Sequence, residues 1–218
     1  MKPLQLDQVS LSVDGTALFE PLSFSVLPGT VTSLLGPSGC GKSSLLAYLC
    51  GILAPAITAS GRIRIGDEDL GRLPTEKRRL GLLFQDPLLF PHLDVAGNLL
   101  FGLRRGGSRA ERRRRVEEAL ASVDLDGFAE RDPATLSGGQ QARVALLRVL
   151  LAEPRALLLD EPFSALDDEN RERVRKLVFD EAHRRELPTL LVTHDEQDVV
   201  AAAGAVIHLS AADANKKG

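Results

Sequence analysis

Cysteine is scarce in this 218-residue chain: there are two, Cys40 and Cys50, and Cys40 lies within a glycine-rich stretch. That argues against a disulfide framework and for a reducing compartment. Long apolar runs are missing too. No stretch of about 18 apolar residues occurs, and the opening MKPLQLDQVS has no apolar segment of the kind a secretory signal needs. The expectation is a chain that neither crosses a membrane nor is exported, and so is cytoplasmic. No sign of charge dominates; the formal net charge is −3, so the surface as a whole is not built for a polyanion. No internal repeat or low-complexity linker divides the sequence. The length suits one domain with a smaller inserted lobe, and 44% hydrophobic residues can form a real core.

The basic residues cluster in RRGGSRAERRRR, 104–115. This reads as a solvated helix face. Glu111 stands four residues before Arg115, the favourable order, and Glu117 and Glu118 follow Arg113 and Arg114 by four. A nucleic-acid or lipid-headgroup patch is the other reading.

Short apolar pieces broken by Asp14-Gly15 and Pro28-Gly29 read as strands and turns over residues 4–34. VTSLL (31–35) runs into the glycine-rich stretch, and SSLLAYLCGIL continues as a helix. GRIRIGDEDL (61–70) reads as a hairpin and LGLLF (80–84) as a buried strand. ALLLD (156–160) and TLLVT (189–193) are continuous apolar runs of the kind found in central parallel strands. An amphipathic helix lies between them, and VIHLS (206–210) forms a last strand. The reading is an α/β domain over 4–210 with a parallel sheet, an antiparallel β flank and an inserted helical subdomain at about 86–150. A polar tail, 211–218, follows.

Chemistry gathers in GPSGCGKSS: Gly36, Pro37, Ser38, Gly39, Cys40, Gly41, Lys42, Ser43 and Ser44. The stretch matches G-x-x-x-x-G-K-[ST], follows a strand and precedes a helix. Glycines let backbone N–H groups wrap phosphates, Lys42 adds a point charge, and the Ser43 hydroxyl suits Mg²⁺. Asp160 ends a buried strand, where its carboxylate can hold the metal's water shell, and Glu161 beside it can act as general base. Gln85 follows the LGLLF strand, where its amide can reach the metal or an attacking water. His194 ends TLLVT and can donate to a γ-phosphate. Both lie past the carboxyl ends of strands, where open α/β sheets bind ligands. A second helix start of serine and glycine, LSGGQ at 136–140, offers another anion seat. Its plainer reading is a serine N-cap.

The ordered set GPSGCGKSS, Gln85, LSGGQ, LLLDEP, SALD (164–167) and His194 resembles the ATP-binding-cassette ATPases, which are P-loop NTPases, over about residues 4–209. PLLFPHLDVAGNLLFGL resembles the importer-type cassettes, and the run from DPATLSGGQ to SALD looks most like the YnjD type. The resemblance implies an ATP-hydrolysing subunit using ATP and Mg²⁺, with Ser43, Gln85 and Asp160 toward the metal. It implies a head-to-tail homodimer in which Ser137, Gly138, Gly139 and Gln140 of one copy face the nucleotide of the other. Asp167 would communicate across that interface and orient water. It also implies separate permease subunits, a solute-binding protein reached through them, and a peripheral place on the cytoplasmic face of the inner membrane. Leu88, Leu89, Phe90 and Pro91 become candidate permease contacts or, equally, core. No nucleic-acid partner is expected; a soluble cassette acting on nucleic acid, or an exporter's cassette, is the alternative.

Departures are few. The adenine-stacking aromatic of these cassettes has Val13 in its place, with Phe19 the nearest aromatic. Cys40 in the loop suggests sensitivity to thiol alkylation. The early end after VIHLS implies no C-terminal regulatory domain.

Overall fold

Alternation builds the first sheet. In β1 (Leu4–Val13) Leu4 and Leu6 are buried, and after an irregularity at 7–8 so are Val9 and Leu11. β2 (Thr16–Ala17), β3 (Leu22–Val26) and β4 (Val31–Leu35) follow, and α1 (Lys42–Cys50) begins after the glycine-rich stretch. Next come β5 (Ile57–Ile65), β6 (Glu68–Asp69), the single-turn α2 (Thr75–Arg78) and β7 (Leu80–Leu83). Then three helices run together: α3 (Val95–Gly102), α4 (Arg109–Ala121) and α5 (Gly138–Leu151). The chain continues through β8 (Ala156–Asp160), α6 (Asp168–Arg184), β9 (Thr189–Val192), α7 (Glu196–Ala202) and β10 (Val206–His208). This computed structural model describes residues 1–210, so the tail at 211–218 lies outside the described residues.

Two compact units result. The first comprises Met1–Leu82, Arg155–Asp160 and the described part of Ala182–Gly218. It holds an antiparallel sheet of order β2-β1-β5-β6, with β3 also on β1, and a parallel sheet of order β10-β4-β9-β8-β7. β4, β8 and β9 sit inside the parallel sheet and are buried almost throughout, which explains their unbroken apolar sequences. Leu4, Phe19, Leu45, Leu158 and Leu190 share its core. The second unit comprises Leu83–Pro154 and Glu161–Glu181. Leu99 of α3, Val116 and Leu120 of α4, and Val144 and Leu147 of α5 form its core.

The α/β reading, with its parallel sheet, antiparallel flank and helical lobe, agrees with this architecture. Details differ. β5 starts at Ile57, four residues before the stretch read as its hairpin, although its turn into β6 is there. β7 stops at Leu83 and Phe84 is 40% exposed, because β7 is the edge strand of its sheet and is only half covered. α7 is too short to display a helical period; Asp195 starts it by accepting the Gln197 N–H at 2.8 Å. In the basic cluster Arg113–Glu117 and Arg114–Glu118 pair as the spacing predicts. Glu111 does not turn to Arg115. Its carboxylate accepts the Ser108 N–H at 2.7 Å in a capping box, and Arg115 pairs with Glu153.

Candidate functional site

In the first unit, β4 leads out of the core into the loop 36–41, and α1 starts at Lys42. Its N-cap is Gly41 at φ 94°, and among the described residues no side chain caps this end. The first N–H groups of α1 are therefore left for an anion, at the positive end of the helix dipole. A Cβ at Gly41 would press on Leu18 and Phe19 at 3.1–3.2 Å, and its left-handed φ disfavours any side chain. Pro37, Ser38 and Gly39 are exposed, Gly36 and Ser44 half-buried. Lys42 is buried, and its ammonium donates to the carbonyls of Gly36 and Pro37, both at 2.8 Å. Ser43 Oγ donates to Asp160 Oδ1 at 3.2 Å, so two residues 117 apart in sequence meet where β8 ends.

Two expectations at this loop are corrected. Cys40 is only 5% exposed, so alkylation finds no open sulfur there. Burial also pushes the Cys50 thiol up to about 11, against a smaller opposing pull from Arg78. Phe19 is fully buried in the core and has no face to offer a base. Val13 is half-buried at the end of β1.

His194 is exposed just past β9, in a turn held by buried neighbours. The Thr193 hydroxyl donates to Asp198 Oδ2 at 2.8 Å and accepts the Asp195 N–H at 3.1 Å. Both Thr193 and Asp198 are buried.

The second unit carries the other motifs. Gln85 is exposed two residues past β7. Glu161 follows β8 in a left-handed conformation, φ 48°, which costs a non-glycine residue roughly 1–3 kcal/mol. Its carbonyl accepts from the Ser164 N–H and hydroxyl, closing the turn. Ser137 caps α5: its Oγ accepts the Gln140 N–H at 3.3 Å, while Gln140 Oε1 accepts the Ser137 N–H at 2.9 Å. Gly138 lies against Leu166, and Gly139 is pressed by Asn170 so closely that a Cβ would overlap its amide. Asp167 holds that amide, accepting the Asn170 N–H at 3.0 Å and its Nδ2–H at 2.7 Å. These two bonds lower the Asp167 pKa. LSGGQ and Asp167 thus meet through Asn170.

Asn170, Thr193 and Asp198 were not foreseen in the sequence, since nothing local marks them. The Ser137–Gln140 box was legible as S-x-x-Q, the capping-box spacing.

A model of the family described as "ABC transporter" matches residues 19–164. The chain belongs to the ABC transporter family. It is 46% identical to the uncharacterized ABC transporter ATP-binding protein YnjD of Escherichia coli K12 over 91% of both chains. It is 46% identical over 187 residues to the Fe(3+) ions import ATP-binding protein FbpC 1 of Rhizobium meliloti, and spans 52% of that longer relative. Its fold matches the ATP-binding cassette MJ0796, solved as a dimer in a post-hydrolysis state with ADP and Pi. That match has a TM-score of 0.77 at 30% identity, over 95% of this chain and 94% of that one. The chain is an ABC ATPase and the ATP-binding subunit of an ABC transporter. Among the described residues no helix is long and apolar enough to cross a membrane.

Proposed function

We propose that this chain hydrolyses ATP as a head-to-tail pair of identical copies at the cytoplasmic face of the inner membrane. It drives a bacterial importer whose separate permease subunits receive solute from a binding protein. Residues 36–44 cradle the phosphates, and Lys42 leaves its loop carbonyls for them. Glu161 takes the proton of the attacking water, His194 donates to the γ-phosphate, and Gln85 positions the water. From the other copy, Ser137, Gly138 and Gly139 supply donors, Gln140 shapes their turn, and Asp167 relays across the interface. ATP closes the pair because its phosphates then touch both copies, a contact absent from the open state.

The Ser43–Asp160 hydrogen bond carries this reading. A hydroxyl and a carboxylate side by side beneath an open helix start are the hard oxygen donors Mg²⁺ takes from protein. The remaining positions go to phosphate and water. Among the described residues no cluster of three His, Cys, Asp or Glu could form an all-protein cage. Ser43 and Asp160, with Gln85, would hold the ion, which when bound neutralises charge on the phosphates.

Several ferric-ion import proteins among the relatives support import over export. A cavity of about 600 Å³ between α3 and α4, walled by Ala96, Leu100, Val116 and Ala129, supports a permease segment docking on the second unit. The loop read as contact or core divides: Leu88 and Pro91 are exposed, Leu89 and Phe90 half-buried. Nucleic acid is disfavoured because the basic cluster is largely engaged. Arg104 and Arg115 both pair with Glu153 at 3.0 Å, and Arg112 donates to the carbonyls of Arg104 and Leu100.

The test is Glu161→Gln. The variant binds ATP, loses steady-state turnover by roughly 100-fold or more, and accumulates as an ATP-dependent dimer in light scattering. Wild-type turnover, or a monomer at saturating ATP, sinks the assignment.

A further inference from the structure

From Phe84 to Asp94 the chain forms no helix or strand. Leu88 in its middle is 55% exposed and left-handed, φ 46°, a conformation disfavoured for a leucine. Among the described residues, Asn98 and Arg148 hold this loop by side-chain hydrogen bonds. Asn98 of α3, fully buried, accepts the Phe90 N–H on Oδ1 at 2.8 Å. Its amide donates to the carbonyls of Phe90, Leu93 and Asp94 at 3.0–3.3 Å. Arg148 of α5 donates to the carbonyls of Leu88 at 2.8 Å and Pro87 at 3.1 Å, and to Asn98 Oδ1 at 3.4 Å. Its guanidinium also lies 5.2 Å from the Phe90 ring centre.

Every hydrogen-bond partner of that guanidinium among the described residues is a neutral oxygen. Burial lowers its pKa, with no carboxylate to offset the cost. Apolar packing would anchor α5 without that penalty. What the guanidinium adds is direction: it fixes two successive carbonyls either side of the strained Leu88 backbone. α5 is also the helix that Ser137 caps.

We propose that Asn98 and Arg148 are positioning residues for ATP hydrolysis, latching residues 87–93, just downstream of Gln85, onto the Ser137-capped helix so that both move as one body. The proposal rests on the roles given above to Gln85 and Ser137. With the latch intact, a displacement of the loop reaches the serine and glycines of that helix; without it, the loop moves alone.

The experiment compares full-length wild type with Arg148→Met, Arg148→Lys, Asn98→Ala and Gln85→Ala. It measures kcat and KM for Mg-ATP hydrolysis and amide exchange by mass spectrometry. For Arg148→Met and Asn98→Ala the expectation is kcat lower by about tenfold or more and KM within about twofold. Exchange at 86–93 rises roughly tenfold while 144–150 and 189–192 stay as in wild type. Arg148→Lys, which keeps the charge but not the fork, recovers part of both effects. Wild-type kcat in both Arg148→Met and Asn98→Ala overturns the proposal. So does a fall in kcat with unchanged exchange at 86–93, or exchange rising at all three segments. Gln85→Ala separates the two layers: lowered kcat there upholds the role of Gln85 whatever the latch variants do, and wild-type kcat overturns both.

Discussion

The helices that begin at Lys42 and at Gly138 both start among glycine and serine, yet their first turns are in opposite condition. At Lys42 no side chain among the described residues caps the end, and the neighbouring ammonium is folded onto its own loop. At Gly138 a reciprocal box already satisfies the cap, and Gly139 is packed against an amide held by Asp167. The first start has the geometry to take an anion, as proposed above. The second is finished within the chain, so what it offers a ligand is a pre-set shape. The Ser137 oxygen accepts inward, which leaves its O–H to donate outward. An open seat and a rigid probe are the two halves that the proposed site shared between copies would require.

The sharpest way to break this contrast is to remove the charge at the open seat. Lys42→Ala should weaken ATP binding by about 100-fold or more in calorimetry, whereas Ser137→Ala should leave the monomer's affinity within about twofold. Equal losses would erase the distinction. Next is Gly139→Ala, which drives a Cβ into Asn170 and costs about 1–3 kcal/mol by overpacking. Chemical denaturation of Gly139→Ala/Asn170→Ala should recover that stability, while turnover stays low if the glycine also faces the partner's nucleotide. Recovered turnover would confine the role of Gly139 to packing.

Smaller is the cap itself. Ser137→Ala should cost about 1 kcal/mol, lowering Tm by roughly 2–4 °C for a chain of this length; an unchanged Tm means the box contributes nothing. Smallest is a pH effect. The folded pKa of Asp167 is lowered from 3.8 by its bonds to Asn170. Its contribution is therefore fully present above 3.8 and fades as pH falls through the lower folded value. The Tm gap between wild type and Asp167→Ala should narrow in that acid range and stay constant above it; a gap that widens on acidification contradicts the bonding seen.

Much of this was legible before the fold. The run VTSLL into GPSGCGKSS announces strand, loop and helix, because burial and glycine freedom act over a few residues. ALLLD and TLLVT betray central strands for the same reason. The burial of Phe19, the aromatic nearest the adenine-stacking position, is not legible, because its sequence neighbours say nothing of the core that encloses it. Asn98 and Arg148 drew no notice; an asparagine in a helix and an arginine among leucines look ordinary until the loop they hold is seen.

Periodicity and backbone preference act at short range, so the order of elements, the α/β class and both glycine-containing helix starts can be read directly from the residues. Tertiary packing brought Ser43 to Asp160, Arg115 to Glu153 and Asn170 to Gly139. Those outcomes depend on which surfaces come together when distant segments share a core. Side-chain hydrogen bonds reach only about 3 Å, so packing had to set the distances before chemistry could choose the partners.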